Sequence, residues 1–390
     1  MMGHMGADGL AGERVQAECI QAERIQAERI QAERFTAQLL AGEPARSPAE
    51  VARRLLAIQG QDARGARLAI RARTAGLTVA DVDRALTNDR TLLITWLNRG
   101  TLHLVRSEDY WWLHALTVRP QLQNAVRRIL AAAGLSHAEM DKGVAVVRAA
   151  LAADGPLTRV QLRAIVASAG LSAQDNVSLH LIALASMQGI AVRGPMIGAQ
   201  HAYVLVADWL GKPPRAVDPD VALAELARRY LAGHGPASDR DLAKWAGLPL
   251  SQVRRGLTAI APELREGAGD LAELAASSRE QASLPPPRLL GAFDPVLLGW
   301  ASREPLLGDH RGVVTVNGLF RPLALVGGKA AGIWAWTGGQ VALDRFGELP
   351  GNAEAALAAE ARDVQRFLAG PVDPGSTVAP RQDRDHDEVA

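Results

Sequence analysis

The strongest constraint on the fold is a pair of strand-like runs joined by a three-residue turn. Residues 93–97 (LITWL) and 101–105 (TLHLV) flank Asn98-Arg99-Gly100, a connection that ends in glycine. Runs of this kind around a short glycine-containing loop predict a β-hairpin. The chain from residue 45 to the hairpin is patterned for three helices. Three helices followed by a hairpin is the order of elements in a winged helix.

The first of these helices has a clear start signal. Ser47 followed three residues later by Glu50 has the form of a capping box, and Pro48 occupies the first helical position. Apolar residues then follow at helical spacing as far as Ile58. We therefore expect this helix to end near Ile58.

Two glutamines separated by one glycine come directly after this helix. In an extended segment Gln59 and Gln61 project to the same side, and Gly60 lets other groups approach the backbone closely. Two amides held in this way can bind a water molecule or a polar ligand. The alternative is that both amides cap carbonyls at the end of the helix and face solvent.

The pattern of the first unit recurs twice along the chain. Residues 155–162 and 235–242 share the spacing Gly-Pro-x-x-x-x-x-Leu, a faint internal repeat. In the second copy, residues 190–193 and 202–206 predict another hairpin. The helix before that hairpin, residues 177–188, is almost entirely apolar. We expect it to be buried, because reading a major groove requires polar side chains.

The two ends of the chain differ from this middle part. Residues 15–35 repeat VQAEC-IQAER-IQAER-IQAER-F, with an apolar residue at every fifth position. Each step of five advances a helix by about 140°, so the apolar residues form no stripe and predict a poorly anchored helix. After residue 285 the sequence predicts strands at 313–316, 323–326 and 333–336, then a helix at 352–368. Asp294 is expected to fix its loop through backbone amides.

Together these patterns predict an α+β, mainly helical fold of tandem winged-helix motifs with a β-rich C-terminal part. The expected divisions are a helix-prone extension at 1–44, a first winged helix with the glutamine pair at 45–140, a second at 141–212, a third at 213–284, a β-rich region with a terminal helix at 285–370, and a disordered tail at 371–390.

Composition excludes several classes of protein. A single cysteine, Cys19, cannot form an intramolecular disulfide or a cysteine cluster, and the nine histidines show no HExxH spacing. We expect no metal and no cofactor. The chain has no GxxxxGK[ST] motif, no apolar run of about 18 residues and no leader-like start. We therefore expect a cytoplasmic monomer that does not enter a membrane.

The distribution of charge is uneven although the net charge is only +1. Residues 50–128 contain thirteen arginines against seven acidic residues. Such a local excess is typical of a surface that faces phosphates. The alternative is that arginine is simply the preferred cation of a chain with four lysines.

Four stretches, in this order, carry a resemblance to a known family: the Gln59-Gly60-Gln61 triplet, 95–105 (TWLNRGTLHLV), 291–298 (GAFDPVLL) and 316–322 (VNGLFRP). They resemble the AlkZ/YcaQ-type winged-helix proteins, whose characterised members are bacterial DNA glycosylases that unhook interstrand crosslinks and remove bulky N7-alkylated purines. The resemblance covers roughly residues 35–346. In that family a Gln-aliphatic-Gln or Gln-aliphatic-Asp triplet carries the catalysis. This chain departs from the pattern at the central residue, where Gly60 stands.

The resemblance implies a DNA glycosylase acting on double-stranded DNA, damaged or crosslinked. Gln59 and Gln61 would position a water molecule, and the adjacent Asp62 is a candidate to accept its proton. No lysine lies nearby in sequence, so we expect a monofunctional enzyme without a Schiff base. The expected DNA contacts are Arg64, Arg67, Arg71, Asn98, Arg99, Thr101, His103 and Arg193. The alternatives are a non-catalytic winged-helix DNA-binding protein, such as a transcriptional regulator, and a protein-interaction scaffold.

Overall fold

The computed structural model describes residues 7–171, 175–277 and 282–369. The chain begins with one long helix, α1 (Ala7–Ala37). The described side chains of its repeat are exposed as far as Arg29, in line with the absence of an apolar stripe. Ion pairs link successive repeats, as the spacing predicts, at Arg24–Glu28 and Arg29–Glu33. The expected disordered tail lies outside the described residues.

The last turns of α1, in contrast, are anchored in the protein. The amide of Gln31 donates a hydrogen bond to the carbonyl of Gly328 at 2.6 Å, and Phe35 is only 2% exposed. Arg34 forms an ion pair with Asp241. The repetitive helix therefore passes from an exposed segment into the core before it ends.

The first unit follows α1 and has the order helix, short strand, two helices and hairpin. Its elements are α2 (Pro48–Leu55), β1 (Ile58–Gln59), α3 (Ala63–Arg71), α4 (Val79–Thr87), β2 (Leu92–Leu97) and β3 (Thr101–Arg106). β3 pairs antiparallel with both β1 and β2. The predicted hairpin is confirmed, with Leu97 and Thr101 paired across the turn.

Helix α2 begins as expected, because the Ser47 hydroxyl accepts a hydrogen bond from the amide of Glu50. It ends three residues earlier than Ile58. Leu56 adopts a left-handed backbone conformation with φ of 63°, which a continuing helix does not allow. The chain then extends into β1, which carries Gln59.

Two connecting helices, α5 (Tyr110–Thr117) and α6 (Leu122–Ala133), lead into a second unit with the same order of elements. Its elements are α7 (His137–Asp154), β4 (Leu157–Thr158), α8 (Arg159–Ser168), α9 (Asp175–Met187), β5 (Ala191–Ile197) and β6 (Gln200–Leu205). The strands of both units form one six-stranded sheet in the order β1-β3-β2-β5-β6-β4. The predicted burial of the apolar helix is confirmed, since Val177, Leu181 and Leu184 of α9 are fully buried.

After α10 (Val206–Leu210), a third unit repeats the order in reduced form. It consists of α11 (Pro219–His234), α12 (Asp239–Ala246), α13 (Leu250–Ala259), β7 (Leu264–Glu266) and β8 (Ala272–Leu274). A single bridge between Ala237 and Ala272 takes the place of the short strand.

The C-terminal part contains a four-stranded antiparallel sheet in the order β12-β11-β10-β9. Its elements are β9 (Arg288–Leu290), α14 (Glu304–Leu307), β10 (Leu323–Val326), β11 (Lys329–Thr337), β12 (Gln340–Arg345) and α15 (Ala353–Ala369). The strand expected at 313–316 is wrong. Val313 ends a 3-10 turn and is buried, Val316 is fully exposed, and only Val314 makes a bridge, to Phe320.

A buried ion pair joins the first unit to this C-terminal part. The guanidinium of Arg73 donates two hydrogen bonds to the carboxylate of Asp294, and both side chains are completely buried. Asp294 also accepts a hydrogen bond from the amide of Val296 at 3.0 Å, which confirms its expected role in the loop. This joint fixes residues 291–298 against the first unit.

Candidate active site

The two glutamines lie side by side at the edge of the six-stranded sheet. Gln59 belongs to β1, so the alternative that both amides cap the end of α2 is wrong. The side-chain amide of Gln59 donates a hydrogen bond through Nε2 to Oε1 of Gln61. Gln59 is 6% exposed, whereas Gln61 is half-buried. The two amides therefore share one face, as expected, and Gln61 lies nearer the surface.

Gln59 is the first member of a polar row that crosses three neighbouring strands. His103 on β3 is the register partner of Gln59 on one side and of Thr95 on β2 on the other. Side chains at paired positions project from the same face of a sheet. All three are buried, and the hydroxyl of Thr95 has no hydrogen-bond partner in the described part of the chain. A strip of polar groups thus leads inward from the glutamine pair.

His103 is neutral in this environment. Its Nδ1 lies 2.9 Å from the carbonyl of Thr101, so the ring donates through Nδ1 and keeps Nε2 as an acceptor. The pKa of His103 is lowered to about 3, mainly by burial and then by the nearby charge of Arg99, while the hydrogen bond to the Thr101 carbonyl opposes both. Above pH 5 the row therefore carries no charge from histidine.

The hairpin turn Asn98–Gly100 brings Arg99 to the glutamines. Arg99 has a left-handed backbone with φ of 60°. Its guanidinium donates through Nη2 to Oε1 of Gln59 at 3.4 Å, and through Nη1 to the carbonyls of Lys244, at 3.3 Å, and Trp245. Burial is the main cause that lowers the pKa of Arg99, followed by the charge of Arg303. A residue 40 positions away in sequence thus contacts the glutamine pair.

The neighbouring Asn98 is completely buried within the same turn. Neither polar atom of its side-chain amide has a hydrogen-bond partner among the described residues. The backbone carbonyl of Asn98 accepts a hydrogen bond from the hydroxyl of Thr101 at 3.1 Å, and Thr101 is half-buried. Asn98 and Thr101 therefore shape the turn and lie beside Arg99.

Asp62 has a structural role that the sequence did not suggest. It is the N-cap of α3, and its Oδ1 accepts a hydrogen bond from the amide of Gly65. A Cβ atom on Gly65 would collide with the carbonyl of Ala292, and one on Gly291 would lie 2.9 Å from Gly65 Cα. The two glycines thus allow the 291–298 stretch to pack against the start of α3, next to Gln61.

Three of the arginines expected to contact DNA are less than a tenth exposed and have protein partners. Arg67 forms an ion pair with Asp83 at 2.6 Å, and its Nη1 lies 3.3 Å from Nε2 of His201. Arg71 forms ion pairs with Glu360 and Asp363. Arg193 donates a hydrogen bond to the hydroxyl of Tyr203 at 2.8 Å. DNA contact by these three stays a prediction, and their burial is a physical reason against it. Arg64 is half-buried in the first turn of α3.

Further cations lie near the turn, and two of them, Arg128 and Arg303, were not predicted as contacts. Arg128 of α6 is exposed, and its Nη2 would lie 3.9 Å from a Cβ atom on Gly100. Lys244 is also exposed, with its ammonium group 2.9 Å from the carbonyl of Ala301. Arg303 is close enough to Arg99 to affect its pKa. Arg128, Lys244 and Arg303 form a basic rim beside the turn, and the sequence signal for Arg128 was the excess of arginine in residues 50–128.

Two further findings concern what the described residues do not contain. Across residues 7–171, 175–277 and 282–369, no three or more His, Cys, Asp or Glu side chains are grouped so as to hold a metal ion. Within the same ranges, no helix is long and apolar enough to cross a membrane.

Comparison with known proteins shows that this chain belongs to a class of DNA repair glycosylases. A family model described as "DNA glycosylase AlkZ-like" matches residues 52–367. The match spans most of the chain, and the chain belongs to the AlkZ-like DNA glycosylase family. The resemblance seen in the sequence is confirmed.

Two matches to Streptomyces sahachiroi, one in sequence and one in structure, illustrate the relationship. The chain is 28% identical, over 373 residues, to an interstrand DNA cross-link repair glycosylase, and the match covers 85% of this chain and 95% of the relative. The solved structure of the Streptomyces sahachiroi DNA glycosylase AlkZ is similar, with a TM-score of 0.69 and 25% identity over 86% of this chain and 95% of that one. The mixed fold of helices and antiparallel sheets is thus shared.

Proposed function

We propose that this protein is a monofunctional DNA glycosylase that excises N7-alkylated purines, or unhooks crosslinks made through them, in double-stranded DNA. The observation that carries the proposal is the hydrogen-bonded pair of Gln59 and Gln61, placed beside a basic turn in a chain of this family. An N7-alkylated purine is already a cationic leaving group. Its departure leaves an oxocarbenium-like sugar, so the enzyme needs no strong acid.

The pair can supply the two things this reaction requires. Amide oxygens have lone pairs that hold a water molecule and partial negative charge that stabilises the developing sugar cation. The hydrogen bond between Gln59 and Gln61 fixes both side chains before substrate arrives, so little reorganisation is needed in the transition state. Neither amide accepts the proton of the water, and we assign that step to Asp62. The Gly65 amide occupies Oδ1 of Asp62, so the proton would go to Oδ2.

The glycine at the centre of the triplet is compatible with this role. The amide of Gly60 donates to the carbonyl of Leu102 at 2.7 Å, so backbone pairing with β3 continues past Gln59 and fixes the segment. A Cβ atom on Gly60 would lie 3.4 Å from Ile94 Cγ2, in ordinary contact with the core. The Ile94 side chain and the backbone of β3 therefore line the place of the family's aliphatic residue, which favours catalysis over the alternative of a non-catalytic DNA-binding protein.

The DNA would approach through the basic rim. We propose that the three units are winged helices and that the first presents its turn to the duplex, with Arg64, Thr101 and Arg128 on the approach. Contacts of this kind do not depend on DNA sequence but do depend on salt. We expect the logarithm of the binding constant to fall linearly with the logarithm of salt concentration, with a slope of about −0.9 for each phosphate neutralised. Salt-insensitive binding would contradict the proposal and favour the scaffold.

The decisive experiment is excision from a duplex that carries one N7-methylguanine, assayed for abasic sites under single-turnover conditions. Gln59→Ala and Gln61→Ala should each slow excision by about 10- to 1,000-fold, the cost of losing one preorganised polar group. DNA affinity should change little, because phosphate contacts dominate it. Gln21→Ala, an exposed glutamine of α1, is the matched control. Equal rates for all three variants, or a parent inactive on every N7 adduct tried, would refute the proposal.

A second experiment tests the monofunctional mechanism. Although no lysine is near the glutamines in sequence, the fold brings the backbone of Lys244 against Arg99. Its ammonium group is hydrogen-bonded to Ala301, which does not favour attack on a sugar carbon. Borohydride added during excision should therefore trap no covalent protein–DNA complex. A trapped complex that disappears in Lys244→Arg would show a Schiff-base lyase step.

A further inference from the structure

A directed chain of hydrogen bonds connects the third unit to the glutamine pair. It starts at the carbonyls of Lys244 and Trp245 in the last turn of α12, passes through the guanidinium of Arg99 to Oε1 of Gln59, and continues from Nε2 of Gln59 to Oε1 of Gln61. We propose that Arg99 is a positioning residue that sets the direction in which both glutamine amides point. The inference rests on the proposed glycosylase function.

The direction follows from the chemistry of the groups. A guanidinium has five N–H donors and no acceptor, so the atom of Gln59 that faces Arg99 must be the oxygen. The NH₂ group of Gln59 then faces Gln61, which must present its oxygen in return. The NH₂ group of Gln61 is left on the side away from Gln59. A side-chain amide without such a neighbour is free to turn by 180°, which exchanges donor for acceptor at the water site.

The helix end is a suitable anchor for this chain. The last carbonyls of a helix have no partner within the helix and carry partial negative charge, so they attract a guanidinium. Lys244 and Trp245 supply two such carbonyls to one nitrogen of Arg99, which leaves Nη2 for Gln59. The planar guanidinium holds these directions at once, which the ammonium group of a lysine does not do.

The backbone on both sides is shaped for this contact. Arg99 itself is in the left-handed region, an uncommon conformation for a residue with a side chain. Gly247 ends α12 with φ of 71°, and a Cβ atom there would lie 3.0 Å from both the backbone nitrogen and Cγ of Arg99. The absence of a side chain at Gly247 thus lets the turn approach the helix end.

The position of Arg99 also separates this role from a phosphate contact. Its side chain is half-buried, with donors on both terminal nitrogens used inside the protein. Loss of Arg99 should therefore leave Gln59 and Gln61 in place but free to turn. Misplacement of a catalytic group by this kind of disorder costs up to about 100-fold in rate.

The test measures single-turnover excision of N7-methylguanine at saturating enzyme, together with DNA affinity at several salt concentrations. Arg99→Ala should excise about 10- to 100-fold more slowly than the parent, and Arg99→Lys should recover part of the loss. The salt slope of DNA binding should stay unchanged, whereas loss of a phosphate contact lowers it by about 0.9. Arg362→Ala, which removes an exposed arginine from α15, controls for the change in charge.

A double-mutant cycle shows whether Arg99 acts through Gln59. If it does, Arg99→Ala in the Gln59→Ala background should cause no further loss, because the group it orients is gone. Gly247→Ala, which pushes the helix end away from Arg99, should reproduce the slow excision with the salt slope intact. This second variant keeps the idea testable if Arg99→Ala folds poorly.

The outcomes separate this inference from the function on which it rests. If the parent protein excises no N7 adduct, both the glycosylase function and the positioning role of Arg99 are refuted. If the parent is active, any of three results for Arg99→Ala overturns the positioning role alone. The variant could excise at the normal rate, its salt slope of DNA binding could fall by about one unit, or its defect could multiply that of Gln59→Ala. In the last two cases Arg99 is a DNA contact or an independent support of the fold.

Discussion

The first and second units have the same order of elements and share one sheet, yet their central rows differ. In the first unit the row is Gln59, His103 and Thr95; in the second it is Leu157, Tyr203 and Arg193. The second row is satisfied internally, because Arg193 donates to the Tyr203 hydroxyl and packs on its ring.

The first row is only partly satisfied, because the buried Thr95 hydroxyl has no hydrogen-bond partner among the described residues. Buried polar groups are normally hydrogen-bonded, and exceptions often mark functional sites. The element order alone therefore does not make a site. The chemistry depends on which side chains occupy the row that crosses the three strands.

The largest effect is expected at the joint that holds the first unit to the C-terminal part. Asp294→Asn should lower the free energy of unfolding by about 3–5 kcal/mol, because it leaves Arg73 charged, buried and poorly paired. Urea unfolding measures the change. The double variant Arg73→Met, Asp294→Asn should be less destabilised than Asp294→Asn alone. If it is not, the cost does not come from the uncompensated charge.

A smaller effect should distinguish the two rows directly. Tyr203→Phe removes the partner of a buried arginine and should cost about 1–3 kcal/mol of stability, with unchanged excision. Thr95→Val removes a hydroxyl that has no hydrogen-bond partner within the part of the chain that the structure describes, so the stability of this variant should be equal or higher. Excision by Thr95→Val should nevertheless slow if the first row serves the reaction. If Tyr203→Phe and Thr95→Val lost similar amounts of stability and of excision rate, the proposed difference between the two rows would be wrong.

The pH dependence should separate stability from catalysis. The pKa of His103 is near 3 in the folded protein and about 6.5 when unfolded, so the unfolded chain binds a proton first as pH falls. His103 therefore contributes stability that is present above pH 6.5 and is lost towards pH 3, at up to about 1.4 kcal/mol per pH unit.

Excision should show no step at pH 6.5, since His103 does not titrate there in the folded enzyme. His103→Gln should reduce the slope of unfolding free energy against pH between 6 and 4, measured by denaturant titration. Buried His114 and His234, with pKa values lowered to about 4 and 3, contribute to the same slope and stay in that variant. An excision profile with a pKa near 6.5 that is lost in His103→Gln would show that the row opens to solvent.

The smallest effect is expected at the centre of the triplet. Gly60→Ala adds a Cβ atom in ordinary contact with Ile94, so excision should stay within about threefold of the parent. Gly60→Ile restores the aliphatic residue that the resemblance to the family implies at this position, and it should keep or raise the rate of excision. The alanine variant is the cleaner measurement, because larger side chains risk overpacking a core in which Ile94 and Leu104 are fully buried. A large loss in Gly60→Ala would mean that glycine itself is required.

Local patterns were enough to predict several parts of the fold. The Ser47 cap, the hairpin turn and the burial of α9 each depend on residues close together in sequence, and each is confirmed. The strand expected at 313–316 failed for a tertiary reason. Strand propensity reflects packing against neighbouring strands, and this segment pairs with the rest of the described chain through a single bridge, Val314 to Phe320. The early end of α2 depended on the unusual backbone of Leu56, which no local pattern indicated.

The glutamine pair, the hairpin and the family to which the chain belongs could all be recognised from motifs of adjacent residues. The partners of the arginines around the site depend on the tertiary structure. Arg71 finds Asp363 across 292 positions of sequence, and Arg99 finds Trp245 across 146. Arginine has the same charge and the same donors wherever it occurs. Whether it forms a buried ion pair, positions another side chain or contacts a phosphate depends on which oxygens the folded chain brings within hydrogen-bonding distance.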